Sequence, residues 1–211
     1  MRFLKDNRMP VFRLDDAVKI LKNSREYARL FLHRAIKSNI IGRAERGLYY
    51  LREGSNEYEI ASHVLYPSYI SMISALHYYG LTTQIPNTVY VISPKRHKII
   101  KNVAGFDIVF RKISSHMMFG YHKESDGNIF IADKEKAIVD IFYFRDVNDL
   151  DYSVLEKPAR IDVDKLALYA EMSRNRSVIK NVSELLSSYG YAKQARRLQS
   201  GLATAQMVLS K

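Results

Sequence analysis

A chain of 211 residues with 47% hydrophobic and 26% charged side chains has the composition of a globular protein, which excludes disordered and collagen-like chains. It contains no cysteine, so disulfide scaffolds, thiolate zinc sites, iron–sulfur clusters and thiol nucleophiles are excluded too. The formal net charge is +11, and residues 1–53, with 13 basic and 6 acidic side chains, hold +7 of it. A basic excess concentrated in a compact segment is the footprint of a polyanion partner; a solvated basic surface is the plainer alternative. No apolar run approaches the roughly 18 residues of a membrane helix, and the N-terminus MRFLKDNRMP is charged where a signal peptide is apolar, so a cytoplasmic protein is expected.

In chain order, Asp15-Asp16 suit the first turn of a helix, and Ala17, Val18, Ile20 and Leu21 give it an apolar stripe. Asn23-Ser24 breaks that helix and offers an N-cap for a second one over 25–38. The second helix turns Ala28, Phe31, Leu32, Ala35 and Ile36 to one side and Arg25, Glu26, Arg29, His33 and Lys37 to the other, with Asn39 as its stop. Residues 40–51 then form two β-prone stretches around Glu45-Arg46-Gly47, with Gly47 at the turn position that needs positive φ. Helix, turn, basic helix and basic-tipped hairpin make the outline of a winged helix-turn-helix. In such a frame Ser24, Arg25 and Arg29 enter the major groove, His33 and Lys37 continue the same exposed face, and Arg43 and Arg46 of the wing meet phosphates or the minor groove.

Gly54-Ser55-Asn56 marks the expected boundary between domain 1–54 and domain 55–211. Beyond it the pattern predicts helices over 57–65 and from Pro67 to Gly80. Strands follow over 88–93, 106–113 and 128–132, then a helix capped by Asp133 and three more helices from Asp162 onward. The whole is a mixed α+β protein: a winged helix-turn-helix, then a larger α/β domain with a small sheet and a helical C-terminal tail.

Catalytic patterns are missing from the sequence. The histidines His33, His63, His77, His97, His116 and His122 include no pair at the spacing of a helical metal site; His116 and His122 flank an expected loop at 119–121. There is no Gly-x-Ser-x-Gly elbow, phosphate loop or dinucleotide-binding turn. The run Asp133-Lys134-Glu135-Lys136 lacks a carboxylate two residues before a lysine, as metal-dependent nucleases require. Gly54-Ser55 has no Asp-x-Asp about ten residues on, as a nucleotidyltransferase needs; Asp162 and Asp164 read better as a helix N-terminus. No enzyme activity and no cofactor or metal are expected. Fifteen tyrosines and nine phenylalanines leave single-stranded RNA stacking as an alternative, although they do not alternate with Lys or Arg on one strand.

One ordered set of residues carries a resemblance. It runs from Glu45-Arg46-Gly47-Leu48-Tyr49 through Tyr66-Pro67-Ser68-Tyr69-Ile70-Ser71, Ser74-Ala75-Leu76-His77-Tyr78-Tyr79-Gly80-Leu81 and Gln84-Ile85-Pro86. It continues with Val89-Tyr90-Val91 and Phe119-Gly120-Tyr121, and ends at Ile131-Ala132-Asp133-Lys134-Glu135-Lys136-Ala137-Ile138-Val139-Asp140. From about residue 10 to residue 190 the chain resembles the AbiEi family of transcriptional regulators, the antitoxin half of abortive-infection toxin–antitoxin pairs. The resemblance implies an N-terminal winged helix that represses its own operon by binding double-stranded DNA. It also implies a C-terminal domain that counters a neighbouring nucleotidyltransferase-like toxin. In that domain the basic and aromatic side chains around His97, Lys98 and Tyr121 are the candidate contacts, because such anchors dominate interfaces. A solitary regulator, or a protein-interaction or dimerisation module with a basic N-terminus, remains the alternative.

Overall fold

In a computed structural model of the chain, the described residues are 9–82, 86–124, 129–146 and 161–209. They form two compact units: the described residues within Met1–Ile70, Asn87–Lys112 and Lys123–Phe130, and those within Ser71–Pro86, Ile113–His122 and Ile131–Lys211. The boundary expected after residue 54 falls inside the first unit.

The first unit begins with β1 (Val11–Arg13), α1 (Leu14–Leu21), α2 (Arg25–Lys37), β2 (Ile41–Glu45) and β3 (Leu48–Leu51). The three strands form an antiparallel sheet in the order β1-β3-β2. Each boundary has a local cause. Asp16 accepts from the Arg13 backbone N–H at 2.8 Å, closing the first turn of α1, and Lys22 ends that helix in the left-handed region. The Ser24 hydroxyl accepts from the Tyr27 N–H at 3.1 Å and starts α2. Asn39 follows α2 with φ of +58°, as its reading as a helix stop required. Gly47 turns the hairpin with φ of +84°, and its carbonyl accepts the Leu14 N–H at 3.1 Å, tying the hairpin tip to the start of α1. The core beneath is Phe12, Leu14, Ala17, Ala28, Leu32, Ala35, Ile41 and Leu51. This arrangement is consistent with a winged helix-turn-helix.

The same unit continues with α3 (Glu57–Ser62), β4 (Tyr69–Ile70), β5 (Thr88–Ser93), β6 (Ile100–Val103) and β7 (Phe106–Lys112). The strands lie side by side as β6-β7-β5-β4, with β5 and β7 parallel and the other two pairs antiparallel. Three elements differ from the sequence expectation. The first helix stops at Ser62, short of Leu65. Tyr69–Ile70 is a strand and not the start of a helix, because pairing with Ile92 and Val91 captures it. Strand β6, unmarked by any clear alternation, is also present.

The second unit contains α4 (Met72–Tyr78), α5 (Lys134–Phe144), α6 (Val163–Met172), α7 (Arg176–Ser188) and α8 (Ala192–Leu209). Strands β8 (Tyr121–Lys123) and β9 (Phe130–Ala132) lie side by side; Phe119 and Gly120 are loop, as read, and Tyr121 already belongs to β8. Ile138, Ile141, Leu166, Ala170, Val178, Val182 and Leu186 are buried in these helices, at helical spacing. Of the residues singled out by sequence, Gln84, Ile85 and Asn128 lie outside the described set. The chain is a mixed α+β protein, as expected.

Candidate nucleic-acid interface

A cleft of about 590 Å³ opens on the first unit, lined by Arg13, Leu14, Asp15, Arg25, Arg29, Arg43, Arg46, Gly47 and Tyr49. Five arginines reach it from three elements. Arg13 joins β1 to α1; Arg25 and Arg29 occupy successive turns of α2; Arg43 and Arg46 belong to the β2–β3 hairpin. The helix places Arg25 and Arg29 four residues apart on one exposed side, while Ala28, Leu32 and Ala35 hold the other side in the core. The hairpin brings its two arginines to the same place because the Gly47 carbonyl fixes its tip to α1.

The arginines differ in how they are held. Arg13 donates from Nη2 to the His63 carbonyl at 3.0 Å, and Arg43 from Nε to the Glu45 carbonyl at 3.2 Å. Arg25 pairs through Nη1 with Asp15, the single carboxylate in the cleft. Arg29 and Arg46 have no ion pair or hydrogen bond to the described residues. Guanidinium groups crowded with one carboxylate between them make a site for anions, and the planar fork of arginine suits phosphate oxygens and guanine edges alike.

Four of the seven residues singled out from sequence thus meet in one place: Arg25, Arg29, Arg43 and Arg46. Ser24 does not line the cleft, and its hydroxyl is occupied as the cap of α2. His33 and Lys37 are exposed farther along α2 and do not line the cleft. Arg13 and Tyr49 were missed. Arg13 sat beside an apolar stretch with no helical neighbour to suggest a face, and only the pairing of β1 with β3 brings it in. Tyr49 stacks on Phe12, ring centroids 6.0 Å apart, and forms part of the cleft wall.

Beside the cleft, His97 is 18% exposed, its Nε2 lying 3.2 Å from Glu45 and its ring 4.5 Å from Phe110. It was expected as an exposed contact and is instead engaged with the hairpin. Lys98 is exposed and Tyr121 half-buried.

The second unit holds a polar cluster that sequence did not reveal. The Asp133 carboxylate accepts from the Tyr169 hydroxyl at 2.7 Å, His122 Nδ1 lies 2.9 Å from it and Lys165 Nζ 3.0 Å. Asp133 occupies the N-cap position of α5 as expected, but its side chain serves this cluster and makes no cap hydrogen bond. Burial pushes the Asp133 pKa up, but the hydrogen bonds from Tyr169, Lys165 and His122 outweigh it and hold the carboxyl below its ordinary range. Burial and the bond to Asp133 push the Tyr169 phenol up to about 12. Burial lowers Lys165, yet the Asp133 hydrogen bond and the Glu135 and Asp133 charges raise it overall. Each of these three groups therefore keeps its proton state near neutral pH, which suits an anchor better than a proton relay. Among the described residues no group of three His, Asp or Glu side chains has metal-site geometry, and no helix is long and apolar enough to cross a membrane.

No curated protein sequence matches the chain. Among solved structures, the RV2827C protein from Mycobacterium tuberculosis is similar, with a TM-score of 0.65 at 14% identity, covering 94% of this chain and 78% of that one; the likeness is one of fold. Residues 1–52, the segment that builds the whole arginine cleft, match the profile of the family described as "Transcriptional regulator, AbiEi antitoxin", so over this segment the resemblance read from sequence is borne out.

Proposed function

We propose that the chain is a sequence-specific, double-stranded DNA-binding repressor that acts by occupying an operator and performs no chemistry. The observation that carries this reading is the convergence of Arg25 and Arg29 from α2 with Arg43 and Arg46 from the hairpin on one cleft. A helix presenting arginines at its N-terminal end beside a basic hairpin fits a duplex whose major groove takes the helix and whose adjacent backbone meets the hairpin. The family matched by residues 1–52, a family of transcriptional regulators, supports the same role. The test begins with selection of bound duplexes from a random pool. Binding of the selected sequence is then compared with its scramble for wild type, Arg25→Ala and Arg29→Ala. Each bidentate arginine–guanine contact contributes roughly 1–3 kcal/mol of discrimination, so each variant should narrow the gap. Equal affinity of the wild type for selected and scrambled duplexes would remove the reading.

The antitoxin part of that family description supports a second role, the countering of a toxin; the resemblance read from sequence implies that the toxin is nucleotidyltransferase-like and encoded beside this chain. Full-length protein carrying Arg25→Ala, Arg29→Ala, Arg43→Ala and Arg46→Ala should still rescue cells expressing the neighbouring toxin, since those changes are confined to the cleft. Death at the rate seen with toxin alone, from a soluble and folded variant, would count against neutralisation separate from DNA binding.

A further inference from the structure

Asp15 is out of place in the cleft. A carboxylate amid five arginines repels the polyanion the other residues attract, and although it suits the first turn of α1, it makes no cap hydrogen bond there. Its neighbour Asp16 already caps the first turn through the Arg13 N–H. What Asp15 does is hold Arg25: its Oδ1 takes one N–H of Nη1, bridging the first turn of α1 to the first residue of α2. Both side chains are more than half exposed, so burial does not force the pair together.

Arginine has five N–H donors in a rigid fork, and Asp15 takes one, so the Nε–Nη2 edge keeps two parallel donors for a base. A free guanidinium at this position swings to the nearest phosphate, which carries no sequence information. A guanidinium tethered by a carboxylate is kept off the backbone in two ways. Its orientation is fixed, and the phosphate that would draw it away is repelled by Asp15. We infer that Asp15 is a positioning residue that commits Arg25 to base recognition, giving up general DNA affinity in exchange for discrimination. The inference rests on the DNA-binding reading above and names the source of that site's specificity.

The experiment measures full-length wild type, Asp15→Asn and Asp16→Asn on the selected duplex and its scramble across a salt series. Asp16→Asn removes the same charge from the same helix turn without touching Arg25, and so controls for net charge. For Asp15→Asn, scrambled DNA should bind more tightly. The salt slope on scramble should steepen by about 0.9, the mark of one added phosphate contact. The selected-to-scramble ratio should fall at least about fivefold. Asp16→Asn should leave the ratio where it is. Parallel shifts of both duplexes in Asp15→Asn, matching those in Asp16→Asn, would overturn the inference. So would a changed base preference with unchanged scramble affinity, since Asp15 would then read a base itself. A wild type that does not discriminate would instead defeat the underlying DNA reading.

Discussion

The ring of Tyr50 lies over Gly42 on the facing strand, so closely that a Cβ on Gly42 would stand 1.9 Å from the ring carbon Cζ. Gly42 is needed for space, since its backbone is not in the left-handed region. Tyr50 is 4% exposed, so its ring can move aside only by displacing the residues packed around it. Gly42→Ala should cost about 1–3 kcal/mol by denaturant unfolding, the usual penalty for overpacking. In a Tyr50→Ala background the same change should cost little, and the coupling energy between the two positions measures the clash.

Gly47 presents the opposite case. A Cβ added there would meet no atom within 4 Å, so only its φ of +84° resists substitution. Gly47→Ala should destabilise by about 1–2 kcal/mol and Gly47→Asn by less, because asparagine tolerates the left-handed region. Thermal melts of the two variants separate strain from crowding.

The elements legible in the sequence were those with local causes. Ser24 as a cap, Asn39 as a stop, Gly47 at a turn and the apolar stripe of α2 all act within a few residues, and each is found where the pattern put it. Tyr69–Ile70 went wrong because its partner strand lies about twenty residues on, and a helical spacing continued smoothly across it. In the cleft, the arginines of α2 and the hairpin were legible as separate basic features. Arg13 and the Asp15–Arg25 pair depend on distant segments folding back on each other. The Asp133 cluster was invisible for the same reason: Tyr169 reaches it from 36 residues away, and a helix-capping role accounted for Asp133 fully enough in the sequence.

That cluster has a pH signature. Folded Tyr169 holds its proton up to about pH 12, whereas in the unfolded chain a tyrosine gives it up near 10.0. The folded state therefore binds more protons between those values, so this contribution is whole below pH 10 and is lost as pH rises toward 12. Asp133 has the reverse dependence. Its folded pKa lies below 3.8, and its contribution is present above that value and lost as pH falls through the folded one. Tyr169→Phe should lower stability at about pH 8 and show a shallower loss than wild type between pH 10 and 12. Parallel curves would mean that Tyr169 does not govern the alkaline limb.

Lys136 and Asp140 form an ion pair one turn apart on α5, both wholly buried, with the Ser71 hydroxyl donating to the same carboxylate at 2.7 Å. Burial lowers the Lys136 pKa despite the attraction of Asp140. Asp140→Ala strands a buried ammonium and should cost about 3–5 kcal/mol, whereas Lys136→Met with Asp140→Leu should cost much less, because no charge is left without its partner. Urea unfolding of the two variants checks the order, and a double variant as unstable as Asp140→Ala would contradict it.

Binding of DNA at the cleft formed by α2 and the hairpin is tested most directly by the dependence of affinity on salt for the selected duplex, measured for wild type and for Arg43→Ala with Arg46→Ala. Phosphate contacts release counterions, so loss of two of them should lower the log–log salt slope by about 1.8, at roughly 0.9 each. The double variant should also weaken binding to selected and scrambled duplexes by the same factor. An unchanged slope, with the variant folded, would mean that the hairpin faces away from DNA and that the arginine cleft is not the interface.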